Sequence, residues 1–263
     1  MTNALIGYSG FVGSTLLKQA SFEALYRSTN IGEIDGRSFK TVVCAGASAQ
    51  KWIANREPYE DRCKTEGLIK HLKTILCDKF ILISTVDVFK DPLGVDEDTP
   101  VNEAGLHSYG LHRRLLEEFV ESHFTNYLIV RLPGLVGPGL RKNVIFDLLN
   151  NNNLHAIDSR GMFQFYPTVN LWYDIQIAIQ EDLRLLHLTA APVSVAEISK
   201  EVFGRTFKQH LNNPPAAYDM RTRHALMFSC KGVYQYSKKE TILAVRAYAQ
   251  SEKVSFKVQG ETS

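Results

Sequence analysis

One stretch limits what this chain can fold into more than any other. It is Ala4-Leu5-Ile6-Gly7-Tyr8-Ser9-Gly10-Phe11-Val12-Gly13, followed by Ser14-Thr15-Leu16-Leu17. An apolar run of strand length meets three glycines spaced G-x-x-G-x-x-G and then a helix-compatible segment. A strand–turn–helix that cradles a dinucleotide has this order. Gly7 permits the tight turn, Gly10 lets the backbone approach a pyrophosphate, and Gly13 lets the helix pack closely on the strand. Backbone amides from Ser9 through Phe11, Val12 and Gly13 then face the phosphates, where the positive end of the helix favours an anion. An ordinary strand-to-helix turn is the alternative; the flanking strand and helix supply the context that favours the binding turn.

The rest of the first half alternates strands and helices. Ala24-Leu25-Tyr26 reads as a short second strand ending at Arg27. No acidic residue follows before Glu33 to take the adenosine ribose hydroxyls, whereas Arg27 can hold a 2′-phosphate, which tilts the cofactor toward NADP(H) over NAD(H). The alternative for Arg27 is a solvated surface charge. Thr41 to Ser48 reads as a buried parallel strand whose small residues Ala45, Gly46 and Ala47 sit at its ligand-facing end. The gap from Asn30 to this strand fits a loop and not a full crossover, so the usual third strand is expected to be short or missing.

Pro58 to Leu76 has helical periodicity, with Ile69, Leu72, Ile75 and Leu76 as the expected buried stripe. Lys79–Ser84 is the next strand and ends at Thr85. Asp91 to Leu106 breaks into a Pro-, Gly- and acid-rich loop that edges a site. Ser108 is placed to cap a helix over Tyr109–His123, and Tyr127–Leu132 is a strand that exits through Pro133-Gly134.

The pattern predicts an α/β chain: a doubly wound parallel sheet, or Rossmann fold, over residues 1–140. Residues 141–263 are expected to complete the sheet and form a small C-terminal substrate cap. Helices are expected over 143–149, 171–183, 195–203 and 239–250, with a strand over 185–188 and a loop at Pro214-Pro215.

Composition narrows the class further. Net charge is +2 with no basic run, so nucleic acid is not an expected partner. Cys44, Cys63, Cys77 and Cys230 are scattered without a C-x-x-C pair, which fits a reducing, cytoplasmic setting. No segment has the length and apolarity of a membrane span, and Met1-Thr2-Asn3 leads straight into the first strand, so neither membrane nor signal peptide is expected. The histidines show no metal-site spacing.

Four ordered motifs carry a family resemblance: GYSGFVGSTL at 7–16, ISTVDVF at 83–89, SYGLHRRLLEE at 108–118 and RLPGLVGPG at 131–139. Together they resemble the extended short-chain dehydrogenase/reductases, the NAD(P)-dependent epimerase/dehydratase group. Within it, ISTVDVF followed by an acidic loop is similar to the dTDP-4-dehydrorhamnose reductases. The resemblance is good over residues 1–140 and diffuse beyond.

It implies a reaction centre of a hydroxyl residue, a tyrosine and a lysine beside the nicotinamide. Thr85 matches the hydroxyl position, Tyr109 the proton-transferring tyrosine, and Pro133 the turn that passes close to the nicotinamide. The lysine position, four residues after the tyrosine, holds Arg113. An arginine keeps the charge that would lower the phenol's pKa and can donate to ribose hydroxyls. It cannot relay a proton, because it stays protonated.

The resemblance therefore implies an NAD(P)-dependent oxidoreductase or epimerase-type enzyme that moves a hydride to or from a nucleotide-linked sugar or a similar carbonyl or hydroxyl substrate. It also implies a homodimer built from paired helices. The alternative that Arg113 keeps open is a catalytically inactive NADP(H)-binding sensor or regulatory protein. His107 and His112 flank Tyr109 and read as helix-face histidines outside the family pattern. Phe163 to Tyr166, with Trp172 and Tyr173, are candidates for a sugar or base pocket or for core. Arg221 and Arg223 are candidates for a substrate phosphate or for solvated charges.

Overall fold

The computed structural model describes residues 1–252; residues 253–263, the end of the segment expected to complete the cap, lie outside the described residues. β1 (Asn3–Ile6) passes through the glycine turn into α1 (Phe11–Gln19) and β2 (Ala24–Tyr26). A single 3₁₀ turn over Ile31–Ile34 joins β2 to β3 (Ser38–Cys44). α2 (Lys51–Arg56), α3 (Pro58–Leu72), β4 (Leu76–Thr85), the short β5 (Leu93–Val95), α4 (Ser108–His123) and β6 (Tyr127–Leu132) follow. The second half contributes β7 (Gly134–Val136), α5 (Val144–Asn150), β8 (Met162–Phe163), β9 (Phe165–Pro167), α6 (Leu171–Gln180) and β10 (Leu185–His187). It ends with β11 (Val193–Ser194), α7 (Val195–Phe203), β12 (Asp219–Met220) and α8 (Lys238–Ser251).

Six strands form one parallel sheet in the order β2-β1-β3-β4-β6-β10. The strand that usually comes third in this fold is missing, because the link from β2 to β3 is too short to make another strand and its helix. β10 comes from beyond residue 140 and closes the far edge on β6. The chain reverses its direction of travel between β1 and β3, so the crevice opens outside the carboxyl ends of those two strands.

Alternate strand residues feed two layers, as burial on both faces of a parallel sheet demands. Ala4, Ile6, Val42, Phe80, Leu82 and Ile129 pack with Ile69 and Leu72 of α3 and Leu116 and Val120 of α4. Leu5, Val43, Ile81, Ile83, Leu128 and Val130 pack on the other face with Leu16 of α1 and Leu171, Ile175 and Ala178 of α6. A third cluster, including Val136, Ile145, Phe165, Ile198 and Val245, is the core of the cap. The cap helices are well delimited by their ends: Ser194 with Glu197 and Ser237 with Glu240 form capping boxes on α7 and α8, and Gly204 (φ 62°) stops α7. Among the described residues, no helix is long and apolar enough to cross a membrane.

Two local expectations are corrected. Leu76 does not share the buried stripe of Ile69, Leu72 and Ile75; α3 ends at Leu72, and Leu76 opens β4 with 71% of its surface exposed. The cap of α4 is His107 and not Ser108: its ring Nδ1 accepts from the Gly110 amide at 2.9 Å. An imidazole nitrogen here does the work usually given to a hydroxyl or carboxylate.

Candidate active site

The parallel strands bring the glycine turn after β1, Ala45-Gly46-Ala47 after β3, Thr85 at the end of β4 and Pro133 after β6 to one edge of the sheet. Gly7 has φ +83°, and a Cβ there would collide with the Ala45 carbonyl. A Cβ on Gly13 would collide with the Gly7 carbonyl. Gly10 is different: it is exposed, and a Cβ there would meet only the Gly7 oxygen, at ordinary contact distance. α1 begins there with no side-chain cap and no acidic residue in its first turn. An uncapped helix start behind an open glycine fits a diphosphate.

Ser9 is exposed in the turn, Val12 packs against the sheet layer, and Phe11 reaches the cap core. Pro133 is buried between β6 and β7. Arg27 is exposed at the end of β2. Its Nε donates to Thr29 Oγ1 at 2.9 Å, its guanidinium lies 5.9 Å from the Tyr8 ring centroid, and it has no carboxylate partner among the described residues.

Tyr109 lies in the first turn of α4, 7% exposed, with its amide donating to Asn55 Oδ1 of α2 at 2.9 Å. Thr85 ends β4, and its Oγ1 accepts from the Asp87 amide at 3.2 Å. The phenol does not have the depressed pKa expected of it. Burial pushes it up, Asp87 adds to the rise, and the nearby Arg113 and Thr85 side chains only partly offset this.

Arg113 is 3% exposed and its guanidinium carbon sits 4.8 Å from the Tyr109 ring centroid. One terminal nitrogen donates to Asp61 Oδ1 at 2.8 Å and the other to Thr65 Oγ1 at 3.1 Å, both on α3, while Nε has no partner. His112, also buried, shares the other Asp61 oxygen at 2.8 Å. The cation beside the phenol is thus balanced by a buried carboxylate, so its pull on the phenol is weakened.

A second charged group, missed in the sequence, meets the turn that follows Thr85. Lys51 of α2 donates to Asp87 Oδ1 at 2.7 Å and to the Tyr218 hydroxyl at 3.3 Å, and that hydroxyl also donates to Asp87 Oδ1 at 3.2 Å. Asp87 was visible inside ISTVDVF, two residues after Thr85. Lys51 and Tyr218 carry no pattern, since only the folded chain brings α2 and the cap to that turn.

Other candidates resolve into structural roles. Arg221 is held by Asp219 at 2.7 Å, and Arg223 pairs with Asp98. Phe165 and Tyr166 are core, Phe163 stacks on Tyr218 at 5.7 Å between centroids, and Tyr173 is exposed. Gln164 is buried and satisfies three backbone groups, those of Ala190, Met220 N–H and Met220 C=O, each at 2.7 Å.

Below the centre runs a buried polar chain. Glu117 of α4, fully buried, accepts from Ser84 at 2.6 Å, from Arg131 at 2.9 and 2.7 Å, and from Arg114 at 3.1 Å. Burial works to raise its pKa, but these donors outweigh that and hold it below the ordinary carboxylate value. Arg131 continues to His187 Nε2 at 3.3 Å, and His187 Nδ1 lies 3.0 Å from the Arg221 carbonyl. A carbonyl only accepts and a guanidinium only donates, so the proton sits on Nδ1, Nε2 accepts from Arg131, and the ring is neutral.

Burial, reinforced by Arg131, lowers the His187 pKa from 6.5 to about 4. The unfolded chain then binds a proton between those values that the folded chain refuses, so stability falls as pH drops through that window. Thermal unfolding of His187→Gln against pH is expected to show a shallower loss from about pH 6.5 to 4 than the unaltered chain. Equal slopes would exclude His187 as a source of acid lability.

No protein-family model and no curated protein sequence matches the chain. Solved structures do match over nearly their whole length. A dTDP-4-dehydrorhamnose reductase from Clostridium acetobutylicum superposes with a TM-score of 0.70 at 16% identity, covering 95% of this chain and 99% of that one. The chain has the fold of the nucleotide-sugar reductases and epimerases that its motifs resemble. An NAD-dependent NDP-hexosamine 5,6-dehydratase of tunicamycin biosynthesis gives 0.73 at 16% identity over 97% and 99% of the two chains. RMD from Pseudomonas aeruginosa, solved with NADPH, gives 0.72 at 15% identity over 95% and 99%.

Proposed function

We propose that this chain is an NADP(H)-dependent oxidoreductase acting on a keto or hydroxyl group of a nucleotide-linked sugar. The observation that carries the reading is the buried Tyr109 phenol beside Thr85, on the same sheet edge as the open Gly10 turn. The proteins of like fold, among them an NADPH complex and a dTDP-sugar reductase, support it. When bound, the dinucleotide supplies or accepts the hydride. Residues Gly7, Gly10 and Gly13 shape its diphosphate site, Ala45 to Ala47 and Pro133 line its path, and Arg27 takes the 2′-phosphate. Thr85 orients the substrate oxygen and Tyr109 moves the proton at that oxygen. A phenol raised above its ordinary value keeps its proton at neutral pH, the form that donates to a substrate oxygen. The competing reading, a sensor that binds NADP(H) without turnover, draws on the compensated charge of Arg113.

Fluorescence titration with NADPH and NADH tests the cofactor half. NADPH is expected to bind more tightly, and Arg27→Ala to erase about ten- to a hundredfold of that preference, the worth of one charge-assisted contact. Equal binding of both dinucleotides to the unaltered chain would remove the 2′-phosphate assignment, and binding of neither would remove the function.

A further inference from the structure

Three elements that lie apart in sequence meet at one ammonium. Lys51 comes from α2, Asp87 from the turn that follows Thr85, and Tyr218 from the residue before β12 in the cap; their three polar ends form a closed triangle of 2.7, 3.3 and 3.2 Å contacts. The same helix α2 holds the Tyr109 amide through Asn55, one turn from Lys51. The Lys51 side chain is 38% exposed and that of Asp87 16%. We propose that Lys51 is a positioning residue of the reaction centre: it balances the Asp87 carboxylate, keeps that charge from acting unopposed on the Tyr109 phenol, and pins the cap through Tyr218.

The need for such a residue follows from the other cation. Arg113 is buried with its charge matched by Asp61, and Asp61 is shared with His112. The charges that bear most on the phenol are Arg113 from α4 and Asp87 from the β4 turn. His107, at the start of α4, senses both Lys51 and Asp87, which places it in the same field. Asp61 opposes ionisation of the phenol indirectly, through Arg113, whereas Asp87 acts on it directly, and Lys51 is the partner of Asp87.

The inference rests on Tyr109 as the proton-transferring group, and its test is independent of turnover. With Tyr109 replaced by a more acidic fluorinated tyrosine, the phenol of that one site is titrated by fluorine NMR. Lys51→Met is expected to raise the midpoint by about one pH unit, tenfold in proton affinity. Asp87→Asn is expected to lower it, and adding Lys51→Met to Asp87→Asn to change nothing more. A purely structural lysine would not show its effect only when Asp87 is present. An unmoved midpoint in Lys51→Met, or an equal shift in both backgrounds, overturns the proposal. Should Lys51→Met not fold, Asp87→Asn alone decides, since an unmoved midpoint there has the same force. NADPH titration of the same proteins separates the two failures, because loss of dinucleotide binding in the unaltered chain sinks the functional reading while leaving the charge coupling to be judged on its own.

Discussion

Turnover in Tyr109→Phe is expected to fall by about 10²–10⁴-fold, the usual contribution of a positioned acid or base, while NADPH still binds. The substitution removes one oxygen from a side chain that is 7% exposed and leaves the ring in place against the Arg113 guanidinium. Its amide bond to Asn55 is a backbone contact and survives the change. The measurement is NADPH oxidation with a panel of nucleotide-linked keto sugars, beside a dinucleotide titration on both proteins. Equal turnover in the two proteins would remove Tyr109 from the chemistry. Binding without turnover in either protein, whatever the sugar, would move the chain to the sensor reading.

The largest loss of stability is expected from Glu117→Ala, about 3–5 kcal/mol, because the change leaves Arg131 charged, buried and without its carboxylate. Arg131 is 3% exposed and spends two nitrogens on Glu117; its other neighbours, neutral His187 and the Phe89 ring, carry no negative charge to replace it. Ser84 would lose its acceptor at the same time. Glu117→Gln keeps the shape and part of the hydrogen bonding, and a smaller loss is expected from it. Urea unfolding of the three proteins measures the difference. A loss under about 1 kcal/mol in Glu117→Ala would mean that water reaches Arg131.

The frame was readable where a residue type answers to a local rule. The glycines at 7 and 13 are required by backbone collisions that no other side chain avoids, so their spacing named the turn. The apolar runs of β3, β4 and β6 are buried on both faces, and a strand of that kind leaves a mark in any sequence. The short span from Asn30 to β3 already ruled out another crossover. What stayed hidden was decided by distance in space. Asp61 sits on α3, 52 residues before Arg113, and nothing local ties a carboxylate there to that arginine. Lys51 and Tyr218 are 167 residues apart. His107 caps α4 although it lies outside the residue types that such a position favours, so the rule pointed one residue too far, to Ser108. The phenol's pKa was misjudged for a related reason. The motif gave the cation but neither its counter-ion nor the depth of burial, and burial is the larger influence.

The missing third strand has a consequence for how this protein can diversify. β2 is three residues long, outermost in the sheet, and joined onward by one 3₁₀ turn. Residues Arg27 to Thr29 that follow it are exposed, and no further layer leans on them. Substitutions at this rim are therefore cheap for folding, and under the proposed function the choice between the two dinucleotides is made there, apart from the region around Tyr109 that Asn55 and Asp61 hold in place.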